Sequence, residues 1–217
     1  MLAQAASQLS HPHALTHDVV ATPPAFEGTL PYTDCCYRAG EEIYALGDRA
    51  SALYQVEFGA VRIFRLLADG RRQISAFHFV GDVFGFEAGD RHNFFAEAIC
   101  ATGIRAYRRP VESELAREIL PVALEALVRA QDHLLIIGRQ NADERVAAFL
   151  LDLMERQDGL TRIELPMSRA DIGDYLGLTI ETVSRVLSRF RQKGHVHFER
   201  ARNAEIVHPD ALRAICE

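Results

Sequence analysis

The sequence predicts an α+β chain: an N-terminal antiparallel β-roll, then a long helix, then a C-terminal winged helix-turn-helix. Three observations carry this expectation. Short aromatic and β-branched runs punctuated by glycine fill residues 37–107, the texture of many short strands. Apolar residues at three- and four-residue steps fill 111–157, which is helical periodicity. Two short capped segments on either side of Gly177 follow, and after them two alternating runs, the pattern of two helices and a hairpin. The corresponding divisions are a tail over 1–30, the β-roll over 31–110, a helix region over 111–140 and the helix-turn-helix with its wing over 141–217.

Residues 1–30 are rich in Ala, His, Ser and Pro and show no periodicity. They read as a mobile tail or a lightly docked arm, and His11, His13 and His17 suit a solvated segment better than a metal site. In the β-roll, strand-length runs lie at 52–56, 60–64, 74–79 and 95–99. Asp69-Gly70, flanked by Leu66-Leu67 and Ile74, is a hairpin-turn signal between two of them. The helical stripe of Leu120, Leu124, Leu127, Leu134 and Leu135 is crowded for a surface helix. Two uses fit it, packing on the barrel or the seam of a homodimer in which two copies bury their leucine faces together, and the dimer is the expected one. Asn141-Ala142-Asp143-Glu144 then opens a new helix with Val146, Phe149, Leu150 and Leu153 inward, and Asp158-Gly159 closes it.

The most informative stretch is 166–190. Ser168 followed by Asp171 is an N-cap with an acidic residue at its third position. Ile172, Tyr175 and Leu176 give this short helix one apolar face, and Gly177 suits the left-handed residue that ends it. Thr179 caps a second helix with Val183, Val186, Leu187 and Phe190 inward. The outer side carries Glu181, Ser184, Arg185, Ser188 and Arg189, with Arg191 and Lys193 just beyond. Arginine reaches guanine O6 and N7 with two donors, glutamate accepts from cytosine N4, and serine reaches base edges or phosphate. A hairpin over 195–208 with Arg202 in its turn completes a wing. His195 and His197 read as strand residues beside phosphate, not as metal ligands.

Net charge points the other way. Twenty-four Lys and Arg against 30 Asp and Glu leave −6, and an acidic protein gains no global attraction to nucleic acid. The distribution resolves the conflict. Residues 180–202 hold five Arg, one Lys and two Glu, a local +4, which leaves −10 on the rest of the chain. Cys35, Cys36, Cys100 and Cys216 form no CxxC and are too scattered for a secreted disulfide framework. The first thirty residues lack a signal peptide's basic and apolar regions, and no apolar run is long enough to cross a membrane. A cytoplasmic protein with no membrane partner is expected. With no nucleophile–base constellation and no metal spacing, an enzyme is not.

These segments resemble the CRP/FNR family of bacterial transcription regulators, in particular its FNR/FixK-type branch. The specific match is the run from Asp171-Ile172-Gly173-Asp174-Tyr175-Leu176-Gly177-Leu178-Thr179 through Glu181-Thr182-Val183-Ser184-Arg185. The resemblance makes the β-roll a cyclic-nucleotide-binding-like jelly roll and the long helix a dimerisation helix seamed by Leu120, Leu124, Leu127 and Leu134. It implies a homodimer on a palindrome of TTGAT half-sites, with Glu181, Ser184 and Arg185 on bases and Ile180 against a thymine methyl. Ser168, Arg169, Thr179, Thr182, Ser188, Arg189 and Lys193 would meet the DNA backbone, Ser168 at a helix N-terminus that suits an anion. RNA polymerase is the implied second partner.

Two departures from the family pattern remove its usual ligands. Cyclic-nucleotide-binding relatives carry Gly-Glu-Leu followed by Arg-Ser; here the stretch is Gly85-Phe86-Glu87, then Asn93-Phe94-Phe95-Ala96. Phe94 stands where the phosphate-binding arginine would be and cannot pair with phosphate. Oxygen-sensing relatives hold an iron–sulfur cluster on four thiolates, and here no cysteine precedes Cys35. The expectation is an activator needing no cofactor and no metal. The alternative is the same scaffold switched by an unrecognised ligand or by thiol oxidation.

Overall fold

A computed structural model describes Phe26, residue 30, and residues 31–108, 116–200 and 202–217. His11, His13 and His17 lie outside the described residues. The β-roll comprises β1 (Tyr32–Tyr37), β2 (Glu42–Tyr44), β3 (Ala52–Phe58), β4 (Val61–Leu66), β5 (Arg72–His78), β6 (Val83–Phe84), β7 (Phe95–Ala98) and β8 (Thr102–Arg108). They form two four-stranded antiparallel sheets, ordered β1-β8-β3-β6 and β2-β7-β4-β5. The four strand runs read from sequence fall in β3, β4, β5 and β7. The Asp69-Gly70 turn joins β4 to β5 in register, with Leu66 opposite Arg72. β1, β2, β6 and β8 carry weaker alternation and were not separated by sequence.

After the β-roll come α1 (Ala116–Ile137), α2 (Ala142–Glu155), β9 (Arg162–Glu164), α3 (Arg169–Leu176), α4 (Ile180–Gln192), β10 (Val196–Arg200), β11 (Asn203–Ile206) and α5 (Pro209–Cys216). Asn141 caps α2 by accepting from the Glu144 amide, and Val146, Phe149, Leu150 and Leu153 are buried as expected. Asp158 and Gly159 both take positive φ just beyond it. The wing has a third strand, since β9 pairs with β11.

Three apolar clusters fill the molecule. One lines the β-roll, with Tyr44, Val56, Val61, Ile63, Phe84, Ala96 and Ile104. A second holds Phe26 and Leu30 against Leu53, Val83 and Tyr107. Phe26 is 1 % exposed and meets the Tyr107 ring edge-on at 4.9 Å, so this part of the N-terminal segment is a docked arm. The third and largest runs from Ile74 and Phe77 of β5 through Ile136 of α1 to α2, α3, α4 and the wing. The helix-turn-helix therefore shares a core with the β-roll instead of hanging on a hinge.

The leucine stripe of α1 does not pack on the barrel. Leu120, Leu124, Leu127 and Leu134 are 51–63 % exposed, while Ile119 and Val122 face the barrel and His133 and Ile136 are buried. A single carboxylate locks α1 and α2 to the β-roll. Asp82, in the β5–β6 turn, accepts from the Phe79 amide at 2.9 Å, Arg129 Nη1 of α1 at 2.9 Å and Arg156 Nη2 at 2.6 Å. His78 sits beside this node, with Nδ1 3.8 Å from Asp82 and a side chain 12 % exposed.

Burial pushes the His78 pKa down from 6.5 to about 4; Asp82 opposes the shift, and Arg156 and Arg129 reinforce it. The unfolded chain therefore takes up this proton more readily than the folded one. The His78 contribution is complete above pH 6.5 and is lost at ~1.4 kcal/mol per pH unit as pH falls toward 4. In urea unfolding we expect His78→Gln to flatten the loss of stability between these values. An unchanged slope in the variant would place the proton uptake elsewhere.

Candidate nucleic-acid interface

The helix-turn-helix is built by caps and one close approach. Ser168 Oγ accepts from the Asp171 amide at 3.1 Å, and Asp171 Oδ2 accepts from the Ser168 amide at 3.0 Å and hydroxyl at 2.7 Å. This reciprocal box satisfies donors that the first turn of α3 leaves open. Gly177 ends α3 at φ +66°, a left-handed conformation that costs any residue with a Cβ. Thr179 Oγ1 then accepts from the Thr182 amide to start α4. Val183, Val186, Leu187 and Phe190 are buried and fix the rotation of α4 about its axis. That rotation sets what faces outward.

On the outer face Ile180, Glu181, Arg185 and Arg189 are exposed and Thr182, Ser184 and Ser188 half-buried. Arg185 Nη2 donates to Thr182 Oγ1 at 3.2 Å. The Glu181 carboxyl is held below the usual carboxylate range by its own backbone amide, by the Thr179 hydroxyl and by Arg185. It is thus an ionised acceptor-only group, matched to an amine donor. Glu181 and Arg185 sit one turn apart, so the acceptor and the forked donor share one strip of the helix.

The other expected contacts fall into two groups. Arg169 lies over the Phe198 ring at 5.4 Å, and burial followed by the nearby charge of Arg191 lowers its pKa. Together with exposed Lys193, these cations join the start of α3, the end of α4 and the wing into one basic border. Ser168, Thr179 and Arg189 are already engaged. The Ser168 hydroxyl and amide serve Asp171, the Thr179 hydroxyl caps α4, and Arg189 Nη1 pairs with Asp143 at 2.7 Å. Of the wing histidines, His197 is exposed and His195 half-buried.

Sequence reasoning missed the groups behind the head. Asp171 read only as a cap, yet it is 3 % exposed and its Oδ1 accepts from Arg62 Nη1 at 3.0 Å and Arg72 Nη2 at 2.5 Å. Arg62 and Arg72 lie on β4 and β5, where strand alternation makes them look like ordinary solvent-facing residues.

Aromatic rings occupy part of the β-roll interior. Tyr44 stacks on buried His92 at 3.6 Å and Tyr54 on Phe84 at 5.2 Å. Glu87 closes the 85–96 loop by accepting from the Asn93 amide at 3.0 Å and Nδ2 at 2.7 Å. The Phe94 ring offers a phosphate neither charge nor a hydrogen-bond donor. The four thiols are free, and among the described residues no three His, Cys, Asp or Glu are grouped to hold a metal ion. No described helix is long and apolar enough to cross a membrane.

Residues 144–215 match the family model of the Crp-like helix-turn-helix domain, and residues 35–113 that of the cyclic nucleotide-binding domain. The chain is 55 % identical over 180 residues to the nitrogen fixation regulation protein FixK of Rhizobium meliloti, covering 83 % of this chain and 85 % of the relative. It is 40 % identical over 195 residues to the protein of the same name from Azorhizobium caulinodans, covering 84 % and 79 %. The solved structure of FixK2 from Bradyrhizobium japonicum superposes with a TM-score of 0.80 at 44 % identity, covering 87 % of this chain and 98 % of that one.

A test of the local architecture follows from Gly173. A Cβ there would lie 2.7 Å from the Leu178 carbonyl oxygen, where the turn backbone crosses α3. Helix propensity alone favours alanine by ~1 kcal/mol, but overpacking against backbone costs about 1–3 kcal/mol. Gly173→Ala should therefore destabilise the protein, read as a lower thermal midpoint. An equal or higher midpoint would show that the turn yields.

Proposed function

The chain belongs to the CRP/FNR family of bacterial transcription regulators, and from that premise we propose that it is a homodimeric activator working in the cytoplasm. It binds an FNR-type palindrome of TTGAT half-sites at promoters and contacts RNA polymerase through its surface loops, needing neither cyclic nucleotide nor iron–sulfur cluster. The observation that carries this proposal is the outer strip of α4. Ionised Glu181 and exposed Arg185 lie one turn apart with Ser184 between them and Ile180 at the helix start. These are the groups suited to cytosine N4, guanine O6 and N7, and a thymine methyl.

Arg169, Lys193 and Ser188 are the better candidates for backbone phosphates, and Thr182, whose hydroxyl meets Thr179 and Arg185, is a weaker one. Arg189 can serve there by leaving Asp143, whereas Ser168 and Thr179 would act chiefly by holding helix starts in place. The exposed stripe of Leu120, Leu124, Leu127 and Leu134 supports the dimer, since three of these leucines are seven residues apart, the spacing of a two-helix seam. Phe94, standing where the phosphate-binding arginine of relatives would be, supports independence from cyclic nucleotide. Salt dependence should follow the few phosphate contacts of the basic border, not the net charge.

Untreated protein should shift a TTGAT palindrome in a gel and leave a scrambled duplex free. Binding that needs an added effector or reductant would favour a ligand- or thiol-switched regulator, and equal binding to both duplexes would remove the specificity. Arg185→Ala should weaken each half-site by about 1–3 kcal/mol and relax its sequence preference; an unchanged footprint would sink the assignment of the reading strip. Leu127→Asp should give monomers in sedimentation and lose the palindrome. A dimer persisting in that variant would move the seam off α1.

A further inference from the structure

The reading head is tied to the β-roll by an ionic cluster that no local motif requires. Asp171 and Asp174 of α3 face Arg62 of β4 and Arg72 of β5. Arg72 reaches both, with Nη2 2.5 Å from Asp171 Oδ1 and Nε 2.9 Å from Asp174 Oδ2. Arg62 spans Asp171 and Glu97, its cross-strand neighbour on β7. A neutral bond runs beside them, from Gln73 Nε2 to the Asp174 carbonyl at 2.7 Å. The Arg72 guanidinium also lies over the Phe64 ring at 5.7 Å, which itself stacks on Phe95. Both arginines are thus placed by the β-sheet before α3 meets them.

Burial decides what this cluster is worth. The Asp171 side chain is 4 % exposed and that of Arg62 16 % exposed. A charge so far from water must be paired, and losing its partner is costly. The two arginine donors on Asp171 define one orientation of α3 relative to β4 and β5, and a helix displaced by even a few ångströms would leave that carboxylate or its arginines unpaired. Meanwhile α4 keeps its outer strip exposed. The docked arrangement leaves the reading surface open.

We infer that Arg62 and Arg72 are positioning residues for DNA binding: through Asp171 and Asp174 they hold each reading head at a fixed angle to the β-roll, and so set the spacing between the two heads of the dimer. No ligand is needed to set it. This rests on the proposed dimeric binding to a palindrome, where half-sites one helical turn apart require heads ~34 Å apart. A cluster that only stabilised the fold would affect one half-site as much as two. A positioning cluster affects the palindrome alone.

The test is binding of the full chain to three duplexes: the palindrome, palindromes with one base pair added to or removed from the centre, and a single half-site. Arg72→Asp should bind the palindrome about tenfold or more weakly, keep its half-site affinity, and discriminate less among spacings. Adding Asp174→Arg to it should restore part of both affinity and spacing preference, because the Asp174 pair is then re-formed with reversed charge while the Asp171 pair stays broken. The milder Arg62→Ala/Arg72→Ala pair, checked for fold by circular dichroism and for dimer by sedimentation, serves if the reversal does not fold. Unchanged palindrome affinity and spacing preference in these variants would overturn the inference, as would an equal loss on the half-site. Wild-type protein that fails to prefer the palindrome to a scrambled duplex would instead remove the functional proposal beneath it.

Discussion

A carboxylate removed from water must find donors, and Asp171 finds four: the amide and hydroxyl of Ser168 and the guanidiniums of Arg62 and Arg72. Two demands meet on one side chain. The helix start needs an acceptor at its third position, and the arginines of the sheet need a counter-charge. Satisfying both at once makes the start of α3 a fixed point between the β-roll and the helix-turn-helix. Asp82 does the same work for α1 and α2 through Arg129 and Arg156. Beside these two joints, the shared apolar core runs from Ile74 to Leu212 across the segments.

From the fixed point outward the geometry is constrained step by step. The cap sets α3, Gly177 turns the chain, Thr179 starts α4, and four buried side chains fix its rotation. What remains on the outside is a strip of ionised and hydrogen-bonding groups bordered by Arg169, Arg191 and Lys193. The formal charge of −6 does not oppose this arrangement, because screening limits long-range repulsion to about 8–10 Å at ordinary ionic strength. Four of the acidic residues, Asp82, Glu97, Asp171 and Asp174, serve as partners for arginine in the joints.

Local signals in the sequence carried much of this. The Ser168–Asp171 box, Gly177, Thr179, the inner face of α4 and the Asp69-Gly70 hairpin each depend on residues within a few positions of one another, and all are present. What sequence did not reveal depends on distant partners. β6 is two residues long and exists because β3 lies beside it; β9 becomes a strand by pairing with β11. Phe26 lies in a segment that reads as a mobile tail or a lightly docked arm, and it is buried on Tyr107. The joints were least visible, since Arg62 and Arg72 sit 109 and 99 residues from Asp171. Nothing in their immediate neighbourhood distinguishes them from solvated strand residues. The leucine stripe was visible but not its target, and its exposure excludes packing on the barrel.

If the ionic joints set the head before DNA arrives, the distance between the β-roll and α4 must be the same with and without DNA. Pulsed dipolar spectroscopy on spin labels placed on β3 and on α5 measures it directly in the full-length protein. With doubly labelled chains diluted in unlabelled ones, so that pairs within one protomer are read, one narrow distance distribution, unchanged when a TTGAT palindrome is added, is expected. A broad distribution in free protein that sharpens on binding, or a shift of its maximum, would contradict a head positioned in advance.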